Sequence, residues 1–240
     1  MSQGPTADPS RPTAPSYIPP PPVYYAPPNQ LAPAAPYDSR RQGSSIRLGE
    51  WLVDGWHIYK ENWGPMSFGA LLGGFLSVCT AGVMAGPLLL GLFRMAFKTM
   101  RGERPFLGDL FNWEGRFLPA FLVFLFSALL HAGTIGLFRH EFLVLLTVDP
   151  FLLVSSFLTI AQLQDTRKDL ATAINDAARR VFSRDALMWW VVGFVFMILS
   201  WMGFAACFVG IFVTFPWIVS ASASAYRDTF CFDDPNRTNQ

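Results

Sequence analysis

The stretch from Ala186 to Tyr226 constrains the fold most, because it contains no Asp, Glu, Lys or Arg. As a single helix rising ~1.5 Å per residue it would be roughly 60 Å long, about twice the ~30 Å hydrocarbon thickness of a bilayer. The sequence therefore predicts two helical spans, 186–204 and 206–226, that fold back on each other. The first follows Arg184 and the second precedes Arg227, so both charged flanks are expected on one side of a membrane.

The composition agrees with a chain that lives in lipid. Hydrophobic residues make up 52% of the sequence and charged residues 15%, and there are 23 phenylalanines. The net charge of +1 gives no support for nucleic-acid binding. The three cysteines are odd in number and far apart, which predicts neither a disulfide framework nor a zinc site. The first thirty residues lack the basic and apolar regions of a cleavable signal peptide.

Residues 1–45 have a different composition, rich in proline and small polar residues, and predict a disordered cytoplasmic tail. Within the tail, Pro21, Pro22 and Tyr24 form a P-P-x-Y pattern of the kind that aromatic-lined grooves bind. The tail is therefore either a flexible spacer or a docking site for a cytoplasmic protein partner. Residues 229–240 predict a second, short disordered tail.

The region between the tails predicts an all-α, polytopic membrane bundle of about six transmembrane helices, covering residues 64–228. Residues 46–63 carry apolar and aromatic side chains at intervals of three and four, which predicts an amphipathic helix in the interfacial layer. A second amphipathic helix is predicted at 166–184, between the fourth and fifth spans. The six predicted spans are 64–84, 85–98, 117–138, 142–164, 186–204 and 206–226.

The basic residues set the expected orientation. With six spans, the segments on the inner side contain 17 of the 18 Lys and Arg residues, Arg94 being counted with its inner end, and the outer turns contain only Arg139. The positive-inside rule therefore predicts a multi-pass protein of the bacterial cytoplasmic (inner) membrane with both termini in the cytoplasm. A five-span arrangement without the weak 85–98 crossing would place basic loops on both faces, and it is rejected.

The helix at 166–184 is predicted to lie on the membrane surface, with a capping box formed by Thr166 and Asp169 at its start. Anionic lipid attracts a basic residue near the surface by roughly 1 kcal/mol. Membrane lipids are therefore the expected partners of this helix. The predicted headgroup contacts are Arg167, Lys168, Arg179, Arg180 and Arg184.

Asp149 is the polar residue of greatest interest, because a carboxylate inside an apolar run is costly in lipid and suggests a pathway or a proton relay. The alternative is that Asp149, followed by proline, caps the start of the fourth helix near the outer interface. His131, near the end of the third span, is either a hydrogen-bonded structural residue or a member of a cluster with Asp149, His140 and Glu141. Such a cluster could bind a metal or shuttle protons.

Small residues predict close helix packing. Gly69 and Gly73 lie one turn apart, which allows another helix to approach, either within the bundle or in a homo-oligomer. Alternating Ser220, Ser222 and Ser224 in the last span predict close packing on several sides, with a solute path as the alternative. Motifs for nucleotide phosphates, metalloprotease zinc, a nucleophile elbow or paired catalytic carboxylates are missing, so the sequence predicts no enzyme activity and no cofactor.

Several short patterns together resemble a broad group of uncharacterised bacterial multi-pass membrane proteins, and are similar to the membrane domain fused to some glycerophosphodiester phosphodiesterases. The resemblance covers about residues 50–232 and implies a helical membrane fold with cytoplasmic termini, without catalytic residues. The patterns are Gly55-Trp56, Tyr59-Lys60-Glu61-Asn62, Gly86-Pro87 with Gly91, Asp109-Leu110-Phe111, Ala173-Ile174, Gly210-Ile211-Phe212-Val213-Thr214-Phe215-Pro216 and Ala225-Tyr226-Arg227-Asp228.

Two functions remain open on the sequence. The first is a non-catalytic membrane protein whose proline-rich tail docks cytoplasmic partners. The alternative is a small-solute transporter or lipid-handling component that uses Asp149 and His131, in which proline-interrupted helices build a site. A cavity lined by Asp149 would favour the alternative, and a tightly packed bundle would favour the first.

Overall fold

The computed structural model describes residues 46–137, 146–166, 169–205 and 210–230, without the side chains of 134–137. Within these ranges the chain is helical and has no strand, which confirms the all-α prediction. The predicted tail at 1–45 lies outside the described residues. The same applies to Pro21, Pro22, Tyr24, His140, Glu141, Arg167 and Lys168.

Eight α-helices and one 3₁₀ helix make up the described part of the chain. They follow the hydrophobic segments of the sequence, and the last helix continues to Phe230, beyond the start of the predicted C-terminal tail at 229. The helices are α1 (Leu48–Glu61), α2 (Trp63–Cys79), α3 (Ala85–Met100), the 3₁₀ helix Leu107–Phe111, α4 (Phe117–Leu137), α5 (Asp149–Asp165), α6 (Leu170–Val181), α7 (Ala186–Ala205) and α8 (Ile211–Phe230).

Length and composition single out α7 among the described helices, because it alone is long and apolar enough to cross a membrane. Two shorter apolar helices, Trp63–Cys79 and Phe117–Gly133, fall below that length. The helices occupy the six predicted spans, but the number of crossings stays a prediction.

Local sequence explains where several helices begin. Pro87 lies in the first turn of α3 and Pro150 in that of α5, where a missing N–H costs no helical hydrogen bond. At the start of α6, Asp169 is the N-cap, and its carboxylate accepts bonds from the backbone N–H (3.1 Å) and hydroxyl (2.6 Å) of Thr172. The predicted capping role of Thr166 is wrong. Thr166 instead ends α5, since its hydroxyl donates to the carbonyl of Gln162.

The amphipathic helix predicted at 46–63 is present as α1, and its buried face packs along α8. The indole N–H of Trp51 donates to Asp228 (2.9 Å), and that of Trp217 donates to the carbonyl of Leu52 (2.9 Å). The two helices approach closely because Gly55 has no side chain: an added Cβ would lie 2.5 Å from the backbone nitrogen of Ala221.

The core is built around the second half of α8, which packs against α1, α2, α3, α5 and α7. Ser220, Ser222 and Ser224 are 0–2% exposed, as expected for small residues that let helices approach on several sides. Gly69 faces Leu92 and Gly73 faces Leu88, so this glycine pair packs α2 against α3 inside the bundle.

Candidate functional site

A cavity of about 690 Å³ lies between α2, α3, α4, α5, α7 and α8 and is partly open to the outside. Its walls are mainly aliphatic and aromatic, with Leu88, Leu92, Ile160 and Phe215 among them. The size falls within the range of small-molecule sites, which is roughly 300–1,000 Å³. The structure therefore contains an apolar chamber within an otherwise packed bundle.

One continuous face of α5 forms a wall of this cavity. The residues on this face are spaced three or four apart, so they lie on one side of the helix. They are Asp149, Leu152, Leu153, Ser156, Phe157 and Ile160. The helix that the sequence marked for its carboxylate thus faces the cavity along most of its length.

His131 and Asp149 meet at the cavity wall. The imidazole Nδ1 lies 2.7 Å from the carboxylate Oδ1, and both residues line the cavity. The side chain of His131 is 44% exposed and that of Asp149 is 16% exposed. The pair is therefore the polar feature that a ligand entering the cavity would contact.

Asp149 does not act as an N-cap. The residue at the N-cap position of α5 is Val148, and Asp149 is the first residue of the helix itself. A carboxylate in the first turn interacts favourably with the positive end of the helix dipole. The predicted capping role of Asp149 is therefore wrong, although the residue does begin the helix, and a role in a pathway or proton relay stays a prediction.

Four serine hydroxyl groups in the cavity wall are already hydrogen-bonded. Ser127 and Ser156 bond each other across α4 and α5 (2.9 Å), and Ser77 donates to the carbonyl of Gly73 (2.7 Å). Ser200 donates to the carbonyl of Phe196 (2.9 Å). Because these hydroxyls have protein partners, they add little polarity to the wall, and the cavity offers a mainly apolar volume with the His131 and Asp149 pair in its wall.

Charged side chains gather in a different part of the structure, around the ends of α3, α5 and α8. Asp109 is buried and pairs with Lys98 (2.7 Å) and more distantly with Arg94 (3.8 Å). Asp165 accepts from Tyr226 (3.0 Å) and pairs with Arg101 (3.5 Å). These pairs hold the carboxyl ends of three helices together.

Arg227 completes this charged region. It pairs with Asp54 of α1 (2.9 Å) and with Asp228 (3.1 Å). Burial on its own would lower the pKa of Arg227, but the neighbouring carboxylates of Asp228 and Asp54 outweigh burial and raise the pKa above its ordinary value. Arg227 therefore stays charged and ties α8 to α1.

The two basic residues of α6 differ in exposure: Arg179 is exposed, whereas Arg180 is half-buried and its Nε is inaccessible to solvent. Ala173, Ala177 and Val181 are buried, while Arg179 is exposed and donates to Asn175 (3.2 Å). Arg184, just beyond the helix, is also exposed. Arg179 and Arg184 are therefore directed away from the core, and contact of Arg179, Arg180 and Arg184 with lipid headgroups stays a prediction.

The sequence identifies Asp149 and His131 as candidate site residues but contains no sign of the cavity. Ser127, Ser156 and Phe157 lie in apolar runs where nothing distinguishes a cavity wall from packed core. The spacing of Asp149, Ser156 and Ile160 on one face was the available signal. Among the described residues, no group of three or more His, Cys, Asp or Glu side chains could hold a metal ion.

Comparison with protein-family models, with curated proteins and with solved structures finds no match for the chain. The resemblance to bacterial multi-pass membrane proteins therefore stays a prediction.

Proposed function

We propose that this chain is an integral membrane protein that binds a long apolar molecule, most simply a lipid chain, in the cavity, with Asp149 and His131 holding its polar end. The observation that carries the proposal is the 690 Å³ apolar cavity with this single acid and imidazole pair in its wall. Such a site fits the lipid-handling alternative better than a packed scaffold. The proposed role is binding or transfer without covalent chemistry.

The apolar outer surface of the bundle supports the proposal that lipid surrounds the protein. Large apolar side chains are exposed on the helices around the cavity, including Phe75 (64%) and Val78 (81%) on α2, Leu129 (61%) on α4 and Met202 (60%) on α7. A soluble protein seldom exposes contiguous apolar patches of this kind, whereas a bilayer covers them at no cost. A lipid chain can then pass from the bilayer into the cavity without crossing water.

The chemistry of the walls favours an amphiphile over a small polar solute. An apolar chain gains roughly 25 cal/mol for each Å² of surface removed from water, although this gain vanishes when the chain comes from lipid. Selectivity must then come from the polar pair. A hydroxyl or acidic headgroup can hydrogen-bond to Asp149 or His131, and a pure hydrocarbon cannot.

The surroundings of the proposed site fit a bacterial inner-membrane protein of about six spans with cytoplasmic termini, as the basic residues predict. Arg179, Arg180 and Arg184 are proposed to contact anionic headgroups at the cytoplasmic surface. Docking of a cytoplasmic partner to Pro21, Pro22 and Tyr24, and assembly of a homo-oligomer, stay predictions.

The test is to fill the cavity and measure bound lipid. Ala128 lines the cavity and Leu129, next to it on α4, points outward. We expect protein purified in mild detergent to retain a long-chain lipid, detected by mass analysis of an organic extract. Ala128→Trp should reduce the retained amount about tenfold, and Leu129→Trp should leave it unchanged. Equal retention in the two variants would rule out the cavity as the binding site.

A further inference from the structure

The cavity wall stops short of one end on three of the helices that form it. On α2 the wall ends at Ala70, although the helix itself begins earlier, at Trp63. On α3 the wall ends at Leu92 and on α5 at Ile160, and both helices continue beyond these residues. Ala70, Leu92 and Ile160 are 1–6% exposed, and we call them the floor of the cavity.

Contacts between neighbouring residues bring the floor to one level of the bundle. A Cβ added at Gly69, which precedes the floor residue of α2, would lie 3.4 Å from Cδ2 of Leu92. Phe157, three residues before the floor residue of α5, packs on Phe93, with ring centroids 5.9 Å apart. Since Phe93 directly follows Leu92, both α2 and α5 meet α3 at the floor.

Beyond the floor the bundle is closely packed. Met66 of α2 and Met95 of α3 are both 0% exposed. The hydroxyl of Ser220 donates to the sulfur of Met66 (3.9 Å), and the sulfur of Met95 would lie 3.5 Å from a Cβ at Gly69. A ligand that reaches the floor therefore meets filled space, and any longer ligand would have to displace packed side chains at the usual cost of overpacking.

The polar pair lies at the opposite end of the cavity wall. Asp149 is the first residue of α5 in the wall, and His131 is the last of α4 among those whose side chains are described. Asp149 and Ile160 are separated by about three turns of the same helix, which corresponds to a rise of roughly 16 Å. The cavity therefore has a partly exposed polar end and a buried apolar end at a fixed separation.

This separation limits the length of a bound chain. With a carbon–carbon bond of about 1.52 Å and a bond angle of about 111°, an extended hydrocarbon chain advances about 1.25 Å for each carbon. The distance from the polar pair to the floor therefore accommodates roughly 13 carbons. A much shorter chain leaves wall atoms without contacts, and a much longer one must bend or move its polar group away from the pair.

We infer that the cavity selects a single-chain amphiphile by length, with the polar group at His131 and Asp149 and the methyl end against the floor. The inference rests on the proposed function, to which it adds a ligand class: a fatty alcohol or fatty acid of roughly 13 carbons. Ala70, Leu92 and Ile160 are then the residues that determine specificity, because they fix where the chain must end.

The test measures which chain length the protein selects. Detergent-solubilised protein is equilibrated with an equimolar mixture of saturated 1-alkanols of 8 to 18 carbons, purified again and extracted, and the retained alkanols are quantified by mass analysis. We expect the members of about 12 and 14 carbons to be retained at least fivefold over those of 8 and 18 carbons.

Two variants move the floor in opposite directions. Leu92→Ala deepens the cavity and should shift the preferred alkanol to one at least two carbons longer, whereas Ala70→Leu raises the floor and should shift it to one at least two carbons shorter. Leu90→Ala is the matched control, because Leu90 is 0% exposed on the same helix and is not among the described residues that line the cavity. It should keep the wild-type preference.

Each result decides between the two proposals. Retention without a length preference, or a preference that Leu92→Ala and Ala70→Leu leave in place, would overturn the inference while binding in the cavity stands. Should Leu92→Ala not fold, the shift in Ala70→Leu decides alone. Protein that retains a native lipid but no alkanol would also overturn the inference, whereas equal retention of native lipid in Ala128→Trp and Leu129→Trp would overturn the proposed function itself.

Discussion

The two halves of α8 differ sharply in their surroundings. The first half, including Ile211 and Phe215, lines the cavity, whereas Ser220 to Tyr226 are almost completely buried against other helices. The difference follows from side-chain size. Small side chains in the second half let neighbouring backbones approach, and the large rings of the first half hold the neighbouring helices apart. One helix thus supplies both a rigid anchor and the wall of a binding volume.

The packed half of α8 is most sensitive to substitution where α1 meets it. Gly55→Ala would place a methyl group 2.5–2.8 Å from the backbone and Cβ of Ala221, and neither helix can shift without disturbing the tryptophan contacts. We expect a loss of about 3 kcal/mol in unfolding free energy, at the upper end of the usual cost of overpacking. Thermal unfolding of the detergent-solubilised protein measures this loss of stability.

Gly49→Ala is the matched control on the same helix, because nothing lies within 4 Å of a Cβ at this position. It should leave the unfolding temperature unchanged or raise it, since Ala favours a helix over Gly. Equal effects of the two substitutions would mean that α1 does not pack on α8 as described.

A substitution in the cavity wall formed by α5 should change ligand binding and leave stability unchanged. Asp149→Asn keeps the size of the side chain but removes the charge that faces His131. We expect the affinity for a fluorescent fatty-acyl probe to fall about tenfold, which corresponds to about 1.4 kcal/mol. The unfolding temperature should stay within a degree or two of wild type, because the pair is partly exposed.

Asp185→Asn is the control, because Asp185 is exposed and does not line the cavity. Its probe affinity should match that of the wild-type protein. A large loss of stability in Asp149→Asn, with unchanged probe affinity, would show that the pair serves the fold and not a ligand.

A smaller loss of stability than that of Gly55→Ala is expected where the indole of Trp51 bonds Asp228. Trp51→Phe removes the 2.9 Å hydrogen bond and shortens the stacked ring, while an aromatic side chain still fills most of the space. We expect a loss of about 1–2 kcal/mol in unfolding free energy from the bond and the lost contact area. Trp63→Phe, at a 65% exposed position, should cost much less in the same unfolding assay.

The sequence predicted much of the fold because apolar and amphipathic helices leave strong patterns in it. The charge-free run from Ala186 to Tyr226 required a hairpin, and α7 and α8 form it. The spacing of apolar side chains at intervals of three and four residues predicted α1 and α6. The cavity was not predictable, because Leu88, Phe157 and Phe215 look the same in sequence whether they face a neighbour or an empty volume. The path of α5 depends on long-range contacts, such as Gly193 against Pro150, that no local pattern encodes.

The smallest expected effect concerns Asp169 at the start of α6, far from both halves of α8. The side chain and backbone N–H of Thr172 hydrogen-bond to the carboxylate and lower the pKa of Asp169 below its ordinary value. A carboxyl whose pKa is depressed by folding stabilises the folded state above its unfolded pKa of roughly 3.9, and this stabilisation is lost as the pH falls through the folded pKa.

Asp169→Ala should therefore unfold at a lower temperature than wild type at pH 6, and this gap in unfolding temperature should close toward pH 3. A gap that stays constant across this range would show that the N-cap contributes through shape alone and that α6 is held by Ala173, Ala177 and Val181 packing on the bundle.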